Sequence, residues 1–402
     1  MSPRARILIV TSGNLRRNPR PAKEAASLAR AGYAVSVLYP SLGAAWDAED
    51  AECAGAAGYA VCPLSTVGRP LARLVRRGTR WLAVRALALG WEDPAALGPG
   101  RQLARIARRM PADLTIAHNE LGFWVARSLL SDGRRVIADF EDWYSEDLPS
   151  SERRTRPLRL LRRLEARMLH ATVGATTTSA ALRDALEARY GGRPAEVITN
   201  SFPLQANPRR RRPDEPVSCV WFSQTVGPGR GLETFLAAWS RLESAPVIAF
   251  YGEVRGGYAD ELRNRVPVTL RERLEFRGVV SASALPEALA RHDVGLALED
   301  ASIPSRDRTI TNKILQYLNA GLALVATPTA GQCEVLAAAP AAGAVFDEKR
   351  IPERGDWSEL LLPGEKLSGA QRAARQAAEQ KYCWELEEPR FQSIVARALE
   401  SS

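Results

Sequence analysis

The stretch Val217–Leu242, VSCVWFSQTVGPGRGLETFLAAWSRL, decides the fold. Its opening apolar run reads as a buried strand. Its end places Leu232, Phe235, Leu236 and Trp239 at the i, i+3, i+4, i+7 spacing of a helix. Between them, Gly227, Gly229 and Gly231 permit a tight turn and close backbone approach. A helix that starts directly after such a turn offers free N–H groups and a positive dipole end to an anion. Arg230 adds a guanidinium able to fork onto phosphate oxygens.

The same strand–helix unit repeats downstream. PVIAFYG (246–252), ERLEFRGVV (272–280), DVGLALE (293–299), LALVAT (322–327) and AGAVFDE (342–348) read as strands. SALPEALARH (283–292) and TNKILQYLNAG (311–321) read as helices. In the second helix Thr311 is placed as N-cap, Asn312 and Lys313 fall in the first turn, and Gln316 lies one turn on. A cation at a helix start is electrostatically poor unless an anion is there too. Residues 369–399 read as helical, broken near Pro389.

Upstream, RILIV (6–10), a polar loop containing Gly13 and Asn14, a helical stretch ending at Gly32 and AVSVLYP (34–40) form a βαβ start. DLTIAH (113–118), RRVIADF (134–140) and AEVITN (195–200) continue the alternation. Strands alternating with helices imply a parallel sheet covered on both faces. NPRRRRPDEP (207–216) carries three prolines and four consecutive arginines, and reads as an exposed linker. The expectation is an α/β chain of two doubly wound, Rossmann-like domains. Residues 1–205 make the first, 206–216 a linker and 217–385 the second, and a C-terminal helix at 386–402 packs back toward the first. Two such domains in series put their strand C-termini at a shared central cleft.

A length of 402 residues suits two domains. The net charge of +9 is uneven: residues 1–205 hold 30 Lys+Arg against 20 Asp+Glu, a net of +10, and the remainder holds 25 against 26, a net of −1. The first half therefore meets something anionic. Five dispersed cysteines, without CxxC or metal-like spacing, exclude a disulfide framework or zinc site and fit a reducing compartment. MSPRARILIV is too short in its apolar run for a signal peptide. Trp81–Trp91, interrupted by Arg85, falls short of the roughly 20 residues a membrane span requires. Two basic stretches, residues 69–91 with Arg73, Arg76, Arg77 and Arg80, and residues 152–169, have the pattern of helices that lie on an anionic membrane surface. Nothing resembles a nucleic-acid motif or an aromatic platform.

ADFEDWYSED (138–147) follows a strand and supplies Asp139, Glu141 and Asp142, which could grip a metal or acceptor hydroxyls, with Trp143 or Tyr144 able to stack on a sugar face. His118 ends the DLTIAH strand, where a histidine can bond a hydroxyl or move a proton.

TNKILQYLNAGLALVATPTAGQCEVL and SQTVGPGRGLE resemble the donor-binding domain of family 4 retaining glycosyltransferases. The first half resembles the same family through RILIVTSG, RPAKEAASLARAGYAVSVLYP, ADLTIAHNELGFWVA and AEVITNSFP. The resemblance covers nearly the whole chain and implies the GT-B fold. It implies transfer, with retention, of a sugar from a UDP- or GDP-sugar to a glycan, lipid-linked or small-molecule acceptor. The donor-binding set it implies is Gln224, Gly229, Arg230, Gly231, Thr311, Asn312, Lys313 and Gln316, with Arg230 and Lys313 at the diphosphate and Gln316 where a glutamate usually holds the ribose. Gln224 stands where many relatives carry an arginine, and Arg308 where the family has its other glutamate. His118 matches a histidine near the transferred sugar. Gly13, Asn14, Asp139, Glu141 and Asp142 are the acceptor-side candidates. The class holds diphosphate with basic groups, so no metal and no cofactor beyond the nucleotide-sugar is expected. The expected setting is cytoplasmic, with peripheral contact at the inner membrane face. The departures at Arg308 and Gln316 leave a catalytically impaired binding protein as one alternative, and a nucleotide-sugar epimerase is another.

Overall fold

Leu114–His118, Val136–Phe140 and Ala323–Ala326 are buried at every position, as parallel strands covered on both faces must be. The computed structural model describes residues 4–65, 70–149, 152–206, 215–347 and 356–400. Residues 207–214, the greater part of the expected linker, lie outside the described residues, as do Arg69 and Glu348 at the ends of two expected elements. The chain divides into two compact units, Met1–Ile198 with Glu388–Ser402, and Thr199–Glu387.

The first unit holds a seven-stranded sheet of β1 (Arg6–Val10), β2 (Ala34–Pro40), β3 (Ala60–Leu64), β4 (Leu114–His118), β5 (Val136–Phe140), β6 (Gly174–Thr177) and β7 (Glu196–Val197), in the order 3-2-1-4-5-6-7. Every pairing is parallel; Ile7 of β1 sits in register with Val35 on one side and Leu114 on the other. Leu8, Val10, Ala117, Phe123, Phe140, Leu164 and Met168 belong to its core.

The second unit holds β8 (Ser218–Val226), β9 (Val247–Val254), β10 (Leu274–Gly278), β11 (Val294–Ala297), β12 (Ala323–Ala326) and β13 (Gly343–Val345), in the order 10-9-8-11-12-13. This repeats the first sheet's winding. Trp221, Phe235, Trp239 and Phe250 fill one side of its sheet, and Ile314, Leu315, Tyr317 and Leu318 the other. In both sheets the order reverses beside the first strand, between β1 and β4 and between β8 and β11. Loops leaving strand C-termini at that point are where open α/β sheets bind ligands.

Three local expectations change. β8 runs through Gln224 to Val226, so the Gly-rich turn begins at Gly227, three residues later than its polar start at Gln224 suggests. AEVITN shrinks to a two-residue strand, because the Thr199 N–H donates to the Glu387 carboxylate (3.1 Å) instead of to a neighbouring strand. The final helical stretch breaks at 381–383 rather than near Pro389, which lies inside the helix Trp384–Glu400. At the break Phe202 bridges to Cys383, and the Trp384 N–H donates to the Phe202 carbonyl (3.0 Å). A tertiary contact, not the proline, sets the interruption.

Candidate active site

At the reversal point of the second sheet, the turn after β8 carries Gly229 and Gly231 at φ of 77° and 73°, a left-handed conformation that glycine adopts without strain. Between them Arg230 is aimed at Glu299, just past the end of β11, and donates to both carboxylate oxygens (3.0 and 2.8 Å). Lys313, in the first turn of the helix Asn312–Asn319, pairs with the same carboxylate. Its ammonium also lies 5.5 Å from the centroid of the Trp221 ring. The Glu299 backbone is fixed in turn. Its N–H donates to Thr327 Oγ1 (2.9 Å), the Thr327 hydroxyl donates to its carbonyl (3.0 Å), and Gln332 Nε2 donates to the same hydroxyl oxygen. Arg306 donates to the Gly229 carbonyl (2.8 Å) and pins the turn.

Burial would raise the Glu299 carboxyl pKa, but the Lys313 and Arg230 charges outweigh it and hold it below the usual range. For Lys313 burial wins over Glu299, and the ammonium pKa is lowered. Two cations share one carboxylate and keep a net positive charge beside the N-termini of two helices, Leu232–Trp239 and Asn312–Asn319. That arrangement suits an anion with several oxygens.

The other donor-side candidates are placed as follows. Thr311 is the N-cap of the second helix in extended backbone, and its buried hydroxyl has no hydrogen-bond partner among the described residues. Asn312 is exposed, and its Oδ1 accepts from Asn200 Nδ2 (2.8 Å). Gln316 is half-buried one turn beyond Asn312, and Gln224 is exposed near the end of β8. Arg308, at the end of a short helix, donates to the Pro304 carbonyl (3.4 Å) and to Asp307 (3.3 Å).

At the reversal point of the first sheet, His118 ends β4 with no accessible surface. Its Nε2 lies 3.0 Å from a Glu24 carboxylate oxygen, and its Nδ1 lies 2.9 Å from Asp139 and 3.1 Å from Glu141. Arg20 is equally buried. It forks onto Asp139 (2.5 and 2.9 Å), donates to the Ile198 carbonyl (2.7 Å) and lies 3.2 Å from Glu24. The Thr176 hydroxyl completes the Asp139 shell (2.7 Å). Burial would suppress the His118 imidazolium, but Glu24 and Asp139 outweigh it and raise its pKa well above the ordinary value. Arg20 and His118 likewise overcome burial at Asp139 and hold that carboxyl far below its usual range.

Asp139 contributes stability that is lost as pH falls below about 4, and His118 contributes stability that is present below about pH 6.5 and lost as pH rises through its raised native pKa. His118→Asn is therefore expected to remove a fall in melting temperature on the alkaline side. An unchanged alkaline slope in the variant would contradict a cationic His118.

Glu24, His118 and Asp139 offer ligand atoms within 4.8 Å of one another, a set of metal-binding type, but the Arg20 guanidinium takes both Asp139 oxygens. The positive charge that Asp139 meets comes from this arginine and from His118. Asn119 follows at φ 61°, a positive value rare outside glycine, and its Oδ1 accepts from the hydroxyls of Thr11 (2.8 Å) and Ser12 (3.1 Å). Its Nδ2 and that of Asn18 both donate to Glu141. Gly13 sits in the same loop, with open space where a Cβ would project. Asn14 is buried apart from the cluster, donating to Asp47 and Asp50 and accepting from the Leu42 N–H. Asp142 is half-buried. Trp143 and Tyr144 are buried against Tyr190 and Phe123, so neither offers the sugar-stacking face expected of it.

Arg20, Glu24, Asn119 and Glu299 were not singled out in the sequence. Arg20 and Glu24 stand one helical turn apart, on the face a surface helix normally makes apolar. Glu299 is the first carboxylate after an apolar strand beside the phosphate-type turn. Those were the available signals. The backbone angle of Asn119 left none.

Two doubly wound parallel sheets, wound alike and each with its polar cluster at the reversal point, define the GT-B class of glycosyltransferases. Family models agree: residues 23–205 match glycosyltransferase family 4, and residues 217–354 match glycosyl transferases group 1. The chain belongs to the family 4-type glycosyltransferases of GT-B fold. Among solved structures, it resembles sucrose-phosphate synthase from Thermosynechococcus elongatus, with TM-score 0.72 at 13% identity over 99% of this chain and 100% of that one. HepE of Anabaena, solved in complex with UDP-glucose, gives TM-score 0.68 at 15% identity over 98% and 99% of the two chains. A glycosyltransferase from Rickettsia africae gives 0.65 at 14% identity over 99% of each. No curated protein sequence matches the chain. Among the described residues, no helix is long and apolar enough to cross a membrane.

Proposed function

We propose that this glycosyltransferase takes a hexosyl group from a UDP- or GDP-sugar and passes it, with retention, to a glycan, lipid-linked or small-molecule acceptor. The reading is carried by one observation: Arg230 and Lys313 converge on Glu299 at the reversal point of the second sheet, beside two helix N-termini. A nucleotide diphosphate would displace the carboxylate's claim on both cations and gain charge-assisted bonds from each. Negative charge grows on the leaving diphosphate in the transition state, so these preorganised donors lower the barrier itself. The free Thr311 hydroxyl adds a further donor. Gly229 and Gly231 let the backbone approach, and Gln316, Gln224 and Asn312 are the hydrogen-bonding groups nearest in sequence for the nucleoside and sugar.

His118 faces carboxylates through both ring nitrogens and has no surface, so we give it a positioning role. It holds Glu141, and through Glu141 the strained Asn119, at the mouth of the first sheet. Among the described residues no side chain stands out as a nucleophile, and front-face attack assisted by the leaving phosphate fits retention best. Five free cysteines fit a cytoplasmic setting. A screen of UDP-, GDP- and dTDP-sugars for slow donor hydrolysis tests the reading, because hydrolysis needs no acceptor. One nucleotide class is expected to be cleaved, with UDP-sugars the first to try given the HepE complex. Binding of a nucleotide-sugar without cleavage or transfer would favour the impaired binding protein suggested by Arg308 and Gln316.

A further inference from the structure

The helix Pro70–Leu87 packs in a way that its composition does not explain. An amphipathic helix ordinarily turns its apolar stripe inward and its charges outward. Here Leu71, Leu74, Val75, Trp81 and Leu82 fall on one face with Gly78, and that face is open: their exposures run from 55% at Trp81 to 77% at Leu71. Ala83 is buried, and Arg76 is half-buried. Just past the helix end, Leu89 and Trp91 are exposed as well. A helix of this length gains most of its stability in a protein from burying its apolar face, and this one leaves that face uncovered.

Charge identifies what covers it. The helix carries Arg73, Arg76, Arg77, Arg80 and Arg85 and no acidic residue. Among the described residues none of the five has a carboxylate partner at ion-pair distance, and the Arg85 guanidinium lies 4.3 Å from the centroid of the Trp81 ring. A second copy of this chain meeting the patch about a two-fold axis would set like charges against each other. An acidic protein groove would satisfy the arginines but is poorer in matching the Trp81–Arg85 pair. Indole and guanidinium groups beside aliphatic side chains match the boundary between lipid headgroups and acyl chains.

We propose that this helix lies in the surface plane of an anionic membrane. Leu71, Leu74, Val75 and Leu82 enter the acyl boundary, Trp81 sits at headgroup level, and the exposed Arg73, Arg77, Arg80 and Arg85 reach lipid phosphates. The contact is independent of which sugar the enzyme transfers, and it is read without any transfer assay.

The test is flotation of the full chain with vesicles of phosphatidylcholine alone or mixed with phosphatidylglycerol, at low and high salt. The wild type is expected to favour the anionic vesicles by roughly tenfold and to lose much of that preference in high salt. Leu74→Ser/Leu82→Ser and Arg73→Gln/Arg77→Gln/Arg80→Gln are each expected to cut anionic-vesicle binding by about tenfold, with unchanged melting curves because every replaced side chain is exposed. Equal binding to neutral vesicles, or no binding to either, would overturn the proposal. So would undiminished binding by the apolar variant, or a dimer in light scattering that Leu74→Ser/Leu82→Ser dissolves while vesicle binding is absent.

Discussion

Arg20→Ala is expected to destabilise the first unit by about 3–5 kcal/mol, the usual result of removing one partner from a buried charge cluster. Arg20 is fully buried, and its guanidinium satisfies Asp139 through two hydrogen bonds, faces Glu24 and caps the Ile198 carbonyl. Without it, the Asp139 charge keeps only His118 as a cationic neighbour, and one buried carbonyl loses its donor. Arg20→Lys should fall between the two, since an ammonium cannot reproduce the fork. Denaturant unfolding checks this: a lower midpoint at unchanged slope is expected, and a loss under about 1 kcal/mol would show that the cluster does not hold the sheet end together.

Arg230→Ala and Lys313→Ala are each expected to lower donor turnover by at least about tenfold, as loss of one preorganised transition-state donor does elsewhere. They should differ in stability. Arg230 is partly exposed, whereas Lys313 is buried against Glu299 and Trp221, so its removal leaves the carboxylate leaning on Arg230 alone. Lys313→Ala is therefore the variant expected to melt earlier. Near-normal turnover in both variants would remove the site from the reaction.

The doubly wound class of both units was readable because apolar runs of strand length alternate with helical spacing, though the short strands Ala60–Leu64 and Gly174–Thr177 went unread. The positive-φ turn at Gly229–Gly231 announced itself in glycine. What escaped was decided by contacts between residues distant in sequence. Pro389 looked like a helix end, but the chain breaks where Cys383 meets Phe202. Asn14 looked like a loop residue open to ligand, yet Asp47 and Asp50 claim it from a helix some thirty residues on. ADFEDWYSED showed its acids plainly, but not that Asp139 faces inward to Arg20 while Trp143 and Tyr144 fill the core. For Glu299 and Arg20 the local signal was only a charge at an otherwise apolar position, which names no partner. Each became visible only when the parallel order brought one strand end beside another.

Calorimetric titration of UDP and GDP onto the full chain tests most directly whether the second unit's paired cations form the donor site. The comparison is with Arg230→Ala and with the triple variant Arg230→Ala/Lys313→Met/Glu299→Gln, which removes the buried carboxylate along with both partners. The wild type is expected to bind one of the two nucleotides, Arg230→Ala to bind it at least about tenfold more weakly, and the triple variant to show no measurable binding while remaining folded. Undiminished binding in the triple variant, or no binding of either nucleotide by the wild type, would contradict the assignment.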